Sequence, residues 1–500
     1  MQVCPHPGRS VTLRTLLPEA EFLGAEDIAV STCACDSRRV RPGDLFAAMP
    51  GEHHDGRAFL PEAIGRGCAA VLAESRVGGW PYSVPLCIVP NVRDAYGRLC
   101  QALAGDPSRK LKLIGVTGTN GKTTTSCLIA SVLSTAGYST GLLGTLGYFD
   151  GETAEDATHT TPPAEQLAGL LARMVANDCS HAVMEVSSHA LDQSRVAGVQ
   201  FDVACVTNVT HDHLDYHATI HDYRLAKSKL FNYLPAEGVA VLNADDPTCA
   251  GYLRQLDGPV LTIGVRSAAE IMGLLVEQCS SEQTFLLTAG SETVPVRTRM
   301  IGTHHIYNCL TAAAVGLAYG IDLPTVVRGL EKVEHVPGRL ERIECGQPFS
   351  VFVDFAHTPD ALSRCLQTLR DVTAGRLICV FGAGGDRDRQ KRPLMGRAVE
   401  AAADVAIITN DNPRHEAPQA IIDDILGGFR DRDSADVLAD RAAAIRWALG
   451  GARPGDCVLI AGKGHEDYQI IGDERIEFDD REVAREWLYE VQPFAAVGSE

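Results

Sequence analysis

Residues 111–137 read LKLIGVTGTNGKTTTSCLIASVLSTAG. An apolar strand-like run comes first, then a turn carrying Gly118 and Gly121, then a stretch with helical periodicity. In that turn the backbone N–H groups of Gly118, Thr119, Asn120 and Gly121 can crowd a phosphate. Lys122 adds a point charge, and Thr123, followed by Thr124, brings a hydroxyl to Mg²⁺ at a helix N-terminus. The spacing departs from GxxxxGK[ST], because Val116 stands where the first glycine would be. A glycine- and threonine-rich helix cap is the plainer reading. Gly-Lys-Thr directly after an apolar strand favours a nucleotide-triphosphate cradle.

Outward from this stretch, 500 residues exceed one core, so about two to four domains are expected. With 45% hydrophobic and 22% charged residues, the composition is that of an ordinary globular protein. A net charge of −19 argues against a surface that coats nucleic acid, and no nucleic-acid partner is expected. The 16 cysteines stand singly in apolar runs, and no second pair answers Cys33 and Cys35 at metal-ligand spacing. They read as mostly buried free thiols of a reducing compartment. The N-terminus lacks an apolar signal core and no run reaches membrane-spanning length, so a cytoplasmic protein without membrane insertion is expected.

The fold class expected is α/β in three domains: a small mixed α/β domain over 1–104, a P-loop domain with a largely parallel sheet over 105–336, and a Rossmann-like domain over 337–500. Residues 104–110 read as a linker and 334–339 as a hinge. Strand-like runs at 140–143, 181–185, 202–207 and 238–243, with helix-length stretches between most of them, favour a parallel sheet covered on both faces. Residues 265–300 are less periodic and fit extra strands at a sheet edge. The last domain repeats the pattern at 351–354, 377–381, 405–409 and 458–461, and its lack of GxGxxG implies no bound dinucleotide.

Candidate chemistry collects at strand ends. Glu185 and His213 are candidate Mg²⁺ ligands beside Thr123; each alone reads equally as a cap or a satisfied histidine. Lys227 and Lys229 lie on a helix candidate at 221–233, where a solvated basic face is the plain reading. Asn308 precedes an alanine-rich helix at 310–318 and fits a purine or phosphate contact, or a cap. Asp354 and His357 close the first strand of the last domain, and Arg339 sits in the hinge. Residues 384–388 (GGDRD), 411–414 (DNPR) and 462–466 (GKGHE) each follow a strand, a rim whose arginines and glutamate suit a zwitterion; structural ion pairing competes with that account.

Taken in order, GTNGKTT (118–124), TTP (160–162), EVSSHAL (185–191), TNVTHDHLDYH (207–217), AK (226–227), HHIYN (304–308), PGRLE (337–341), VDFAHTPD (353–360), GGDRD (384–388), DNPRHE (411–416) and GKGHEDYQ (462–469) resemble the Mur ligases along nearly the whole chain. The resemblance implies domains for a UDP-sugar, for ATP, and for an incoming amino acid, and a monomer. It implies that ATP phosphorylates the D-glutamate carboxylate of UDP-MurNAc-L-Ala-D-Glu, after which an amine attacks the acyl phosphate. By the same resemblance Lys122 and the loop hold ATP, with Asn308, Arg339, Asp354 and His357 facing it. Mg²⁺ is served by Thr123, Glu185 and His213, and Lys227 becomes carbamylated by CO₂ and joins the metal set. Ser37 lies by the uridine, and Thr160, Thr161, Ser187, Gln193 and Arg195 lie along the muramyl dipeptide. Arg387, Asp411, Asn412, Pro413, Arg414, Gly462 and Glu466 fall on positions that bind meso-diaminopimelate. Lysine lacks the distal carboxylate that DNPR would hold, so it would strand a guanidinium. His159 and Phe355 depart from the pattern, where asparagine and tyrosine are frequent. The whole reading requires Lys122 and Arg414 to meet at one crevice.

Overall fold

The computed structural model describes residues 9–51, 55–75, 80, 83–210, 212 and 216–491. Among the described residues three larger sheets follow one another along the chain, beside two two-stranded ones. The first has five strands in the order Glu21–Leu23, Leu86–Ile88, Ala70–Ala73, Leu45–Ala47, Cys33–Ala34, parallel except for its first strand.

The second sheet has eleven strands and holds the phosphate-loop strand Lys112–Thr117 near its middle. That strand lies between His181–Glu185 and Val203–Val206, both parallel to it. Side chains alternate between layers: Ile114 and Val116 pack with Leu128, Ile129 and Val132 of the helix Lys122–Thr135. Leu113 packs on the other face with Leu167, Leu170 and Leu171 of the helix Ala164–Ala176. A sheet covered on both faces requires strands apolar through their middles, the pattern these runs carry between polar ends. Residues 265–300 contribute Ile271–Gln278, Gln283–Ala289 and Glu292–Thr298, an antiparallel meander at one edge.

The third sheet orders Glu341–Arg342, Ser350–Asp354, Cys457–Ala461, Leu377–Phe381, Val405–Ile408 and Ala435–Val437, parallel after its first strand. Leu377, Cys379 and Phe381 face one helical layer; Ile378 and Val380 face the helices Arg441–Gly451 and Asp480–Val491. Among the described residues no helix is long and apolar enough to cross a membrane.

Two local readings differ from the expectation. The helix placed at 310–318 begins at Thr303 and runs to Ala318, so Asn308 is inside it rather than before it. Its first turns carry His304, His305 and Asn308 toward a cleft, which hides the apolar period. The segment 104–110 is no solvated tether: Ala104, Pro107 and Ser108 are buried and Pro107–Arg109 forms a 3₁₀ turn.

A fully buried ion pair ties the C-terminal helix to the third sheet. Arg441 Nε and Nη2 each donate to Asp480 at 2.7 Å, and the same guanidinium donates to Asn410 O (3.2 Å) and Ala461 O (2.9 Å). Asp480→Ala strands this guanidinium, and an expected loss of about 3–5 kcal/mol should appear in urea unfolding at neutral pH.

Candidate functional site

The phosphate loop turns at Gly118 (φ +152°) and Gly121 (φ +85°). A Cβ on Gly118 would lie 2.0 Å from Thr207 Oγ1, and one on Gly121 would lie 2.5 Å from Asn308 Oδ1. Only glycine fits either place. Thr119 N donates to Asn208 O (2.8 Å) and Asn120 N to Asn208 Oδ1 (3.0 Å), so the next strand's end holds the loop. Lys122 Nζ curls back to donate to Gly118 O (3.0 Å) and Thr119 O (2.9 Å), and burial lowers its pKa. Lys227 Nζ donates to the same Gly118 O (2.8 Å) and lies 4.6 Å from the Tyr223 ring centre. Burial first, and the Lys122 charge second, push the Lys227 amine well below its ordinary pKa.

Glu185 ends its strand buried beside the loop. Its Oε2 accepts from Thr123 Oγ1 (3.0 Å) and Thr145 Oγ1 (3.1 Å), its Oε1 from Thr145 N (2.8 Å). A buried carboxylate paired only to neutral donors, next to a threonine hydroxyl, is a donor set for a hard cation that completes its shell with phosphate oxygens. Among the described residues no group of three or more His, Cys, Asp or Glu side chains gathers as a metal site. His213 lies outside the described residues.

The loop from Thr119 to Thr124, together with Thr145 and Glu185, opens onto one cleft of about 1100 Å³, whereas Lys227, bonded to Gly118 O, is not among its lining residues. Thr160, Thr161, Ser187 and Arg195 line it, as does His159. Arg195 is shaped by Gln193, whose Oε1 accepts from Arg195 Nε (3.1 Å) and Nη2 (2.8 Å), while Nη1 donates to Thr161 O (3.0 Å). Gln193 itself stands behind that guanidinium and is not among the lining residues. Ser37 is not brought here: it is buried in the first sheet's unit and donates to Glu62 Oε2 at 2.7 Å.

The third unit forms the opposite wall. Arg339 Nη2 donates to Thr123 Oγ1 (3.2 Å), its guanidinium 4.7 Å from the Phe355 ring centre, so the ring at this departed position serves as a platform. Asn308 Oδ1 accepts from Thr125 Oγ1 (3.2 Å). Asp354 Oδ2 accepts from Leu340 N (2.7 Å), and burial raises its pKa. His357 Nδ1 donates to Phe355 O (2.8 Å), which sets the tautomer, and burial lowers its pKa. Sequence reasoning passed over Asp360, whose Oδ2 accepts from Asn120 Nδ2 and Thr210 Oγ1, both at 3.1 Å, joining the third unit to the loop. It also passed over His305, buried against the cleft with no hydrogen-bond partner on either ring nitrogen among the described residues. The one signal was a pair of histidines where apolar periodicity breaks.

The amino-acid rim meets this cleft through Arg387 alone. Behind it Arg414 Nη1 donates to Gly385 O (2.8 Å), and a Cβ on Gly384 would lie 3.0 Å from Arg414 Nη1 and 3.7 Å from Arg387 Cγ. The requirement that Lys122 and Arg414 share one crevice is not met in this structure: Lys122 lines the cleft, and Arg414 is not among its lining residues. Asn412 Nδ2 (2.9 Å) and Lys463 Nζ (3.0 Å) donate to Glu466 Oε2. Gly462 (φ +119°) would place a Cβ 2.6 Å from Asp411 Oδ2, and Gly385 would place one 1.9 Å from Pro413 O. These close approaches pack the three rim segments together.

Comparison with known proteins agrees with this arrangement. The Mur ligase middle domain matches residues 116–316, the Mur ligase, glutamate ligase domain matches 338–464, and the Mur ligase family, catalytic domain matches 29–95. UDP-N-acetylmuramoyl-L-alanyl-D-glutamate--2,6-diaminopimelate ligase of Geobacillus thermodenitrificans is 44% identical over 457 residues, 90% of this chain and 93% of that one. The protein of the same name from Gloeobacter violaceus is 45% identical over 465 residues, 92% of this chain and 94% of its own. A solved structure of a ligase of that name superposes with a TM-score of 0.68 at 31% identity, over 96% of this chain and 99% of that one. On identity of this extent, and with three family domains matched in order, the chain belongs to the Mur ligase family.

Proposed function

We propose that this chain joins meso-2,6-diaminopimelate to the D-glutamate of UDP-N-acetylmuramoyl-L-alanyl-D-glutamate, at the expense of ATP, in peptidoglycan precursor synthesis. The observation that carries the reading is one cleft lined by the phosphate loop, by Thr160, Thr161, Ser187 and Arg195, and by Arg387. In this reading triphosphate, acid and amine share a wall, as a ligation requires. Relatives above 40% identity carry that activity in their names.

In this reading the loop amides, Lys122 and Arg339 bind the triphosphate, Asn308, Asp354 and His357 face the nucleotide, and the D-glutamate carboxylate attacks the γ-phosphorus, breaking its bond to the bridging oxygen so that ADP departs. The acyl phosphate that results turns a poor electrophile into one with a leaving group. The amino acid's neutral amine then attacks the acyl carbon and inorganic phosphate departs. Arg195, held by Gln193, orients the muramyl peptide. Arg387 and Arg414 take the distal carboxylate of diaminopimelate, with Asp411, Asn412 and Glu466 facing its ammonium end. A uridine contact by Ser37 would use the hydroxyl as acceptor while it donates to Glu62.

A magnesium ion, when bound, would offset charge on the phosphate oxygens. Thr123 and Glu185 would hold it, with His213 and a carbamylated Lys227. The depressed Lys227 amine supports the carbamate: only a neutral amine adds CO₂, and the product is an anion in place of a buried cation. The division of labour is 1–104 for the UDP-sugar, 105–336 for ATP and 337–500 for the amino acid, in a cytoplasmic monomer.

The test is a product mass. Incubated with ATP, Mg²⁺, the UDP-dipeptide and either diaminopimelate or lysine, the protein should yield the diaminopimelate tripeptide at least about 100-fold faster. Equal ligation of lysine overturns the specificity. ATP turnover indifferent to both acceptors would make the chain a nucleotide switch.

A further inference from the structure

Above the amino-acid rim stands a hairpin of Tyr468–Ile471 and Glu474–Glu477. The rim is stitched to it: Arg414 N donates to Ile470 O (3.0 Å), Gly472 N to Arg414 O (2.9 Å), and Ile470 N to Asn412 Oδ1 (3.0 Å). One residue past Arg414, the His415 ring spans two carboxylates. Its Nδ1 lies 2.9 Å from Asp386 Oδ2 and its Nε2 lies 3.1 Å from Asp473 Oδ1. Asp386 precedes Arg387 on the loop after Leu377–Phe381, and Asp473 is at the hairpin turn.

Ionised carboxylates only accept, so both contacts form together only when both ring nitrogens carry protons. The ring in that state is a cation joining three segments around Arg414. Two of the joined positions are left-handed without being glycine, Arg414 at φ +50° and Asp386 at φ +52°. Such backbone persists only where surrounding contacts hold it.

We propose that protonated His415 is a positioning residue of the amino-acid pocket: it clips the hairpin and the GGDRD loop onto the Arg414 segment, so that grip on the distal carboxylate weakens when the imidazole loses its proton. The proposal rests on the ligase reading above. The ionisable groups facing the ring are Asp386 and Asp473; neighbouring Glu416 is turned to Arg392 at 2.7 Å, and Arg475 to Asp467 at 3.1 Å. Asp386 first, then Asp473, raises the pKa of His415. A raised folded pKa means that the clip is complete below the ordinary imidazole pKa and is lost as pH rises through the raised one. The ring is exposed, so the effect is a factor rather than an on–off step.

The experiment uses the full chain with ATP, Mg²⁺ and the UDP-dipeptide, and follows the diaminopimelate KM from about pH 6 to 9 in wild type, His415→Gln and Asp473→Asn. The variant-to-wild-type ratio cancels the titration of the substrate itself. That ratio is expected at roughly two- to five-fold near pH 6, falling to one at the alkaline end, with the ATP KM unchanged. The His415 ring resonance should titrate above the usual imidazole range and move back toward it in Asp473→Asn. A ratio independent of pH, an equal shift in the ATP KM, or an ordinary His415 titration each overturns the clip. Failure of the ligase reading looks different: wild type makes no diaminopimelate tripeptide at any pH, and the resonance titration still decides the clip.

Discussion

Replacing Lys227 by alanine is expected to cut ligation roughly 100- to 1000-fold while the chain stays folded. Lys227 is 1% exposed, its amine is bonded to Gly118 O, and its charge is opposed by burial and by Lys122, with Asp212 the carboxylate that counters them. A side chain in that position is a poor structural element, since it fills the space under the phosphate loop with a group whose ordinary charged form is disfavoured. On the proposed reading its value lies in the carbamate that a neutral amine can become. With ¹³C-labelled CO₂, wild type should show a carbamate carbonyl resonance that Lys227→Ala lacks, and removal of bicarbonate should slow wild type alone. Thermal unfolding should remain cooperative in the variant. Retained ligation would leave Lys227 as a prop for Gly118 and remove the carbamate.

Arg414→Lys should raise the diaminopimelate KM by roughly 10- to 100-fold and leave the ATP KM within about two-fold. Among the described residues neither Arg387 nor Arg414 has a carboxylate at ion-pair distance. Burial lowers the pKa of Arg414, and the Arg387 charge adds to it. On the proposed reading, two adjacent guanidiniums with no carboxylate at ion-pair distance among the described residues would receive one from outside. Lysine at 414 keeps the charge but presents no planar fork, and it loses the donation to Gly385 O that fixes the head group. Initial rates at varied diaminopimelate and saturating ATP check this. An unchanged KM would make Arg414 a strut of the rim.

Strand positions were legible because a parallel strand covered on both faces is apolar through its middle, with polar residues or glycine at or just beyond its ends; His181–Glu185 and Leu377–Phe381 have the bounds the sequence suggested. The phosphate loop was legible for another reason, since a phosphate needs consecutive backbone donors, and consecutive residues are what a sequence displays. The start of the helix Thr303–Ala318 was not, because its first turns serve the cleft and break the apolar stripe. Asp360 was invisible as a bridge between units, being one acidic residue in the first turn of the helix Pro359–Arg370, where a local helix-end role accounts for it. That Arg387 faces the cleft while Arg414 stands behind it depends on how Gly384 and Gly385 let two loops cross, which only tertiary packing decides.

The buried pair of Arg441 and Asp480 also bears on where the working unit of the last domain stops. Its guanidinium grips the carbonyls just ahead of Asp411 and Gly462, so two rim segments are anchored through a helix that starts at residue 480. The family match in this part of the chain ends at residue 464. A fragment trimmed to that boundary would keep the GGDRD and DNPR motifs but lose the last five residues of GKGHEDYQ (462–469), Glu466 among them, and also the bolt that aligns the rim, and a transplanted or isolated amino-acid module must therefore carry the chain through the helix Asp480–Val491.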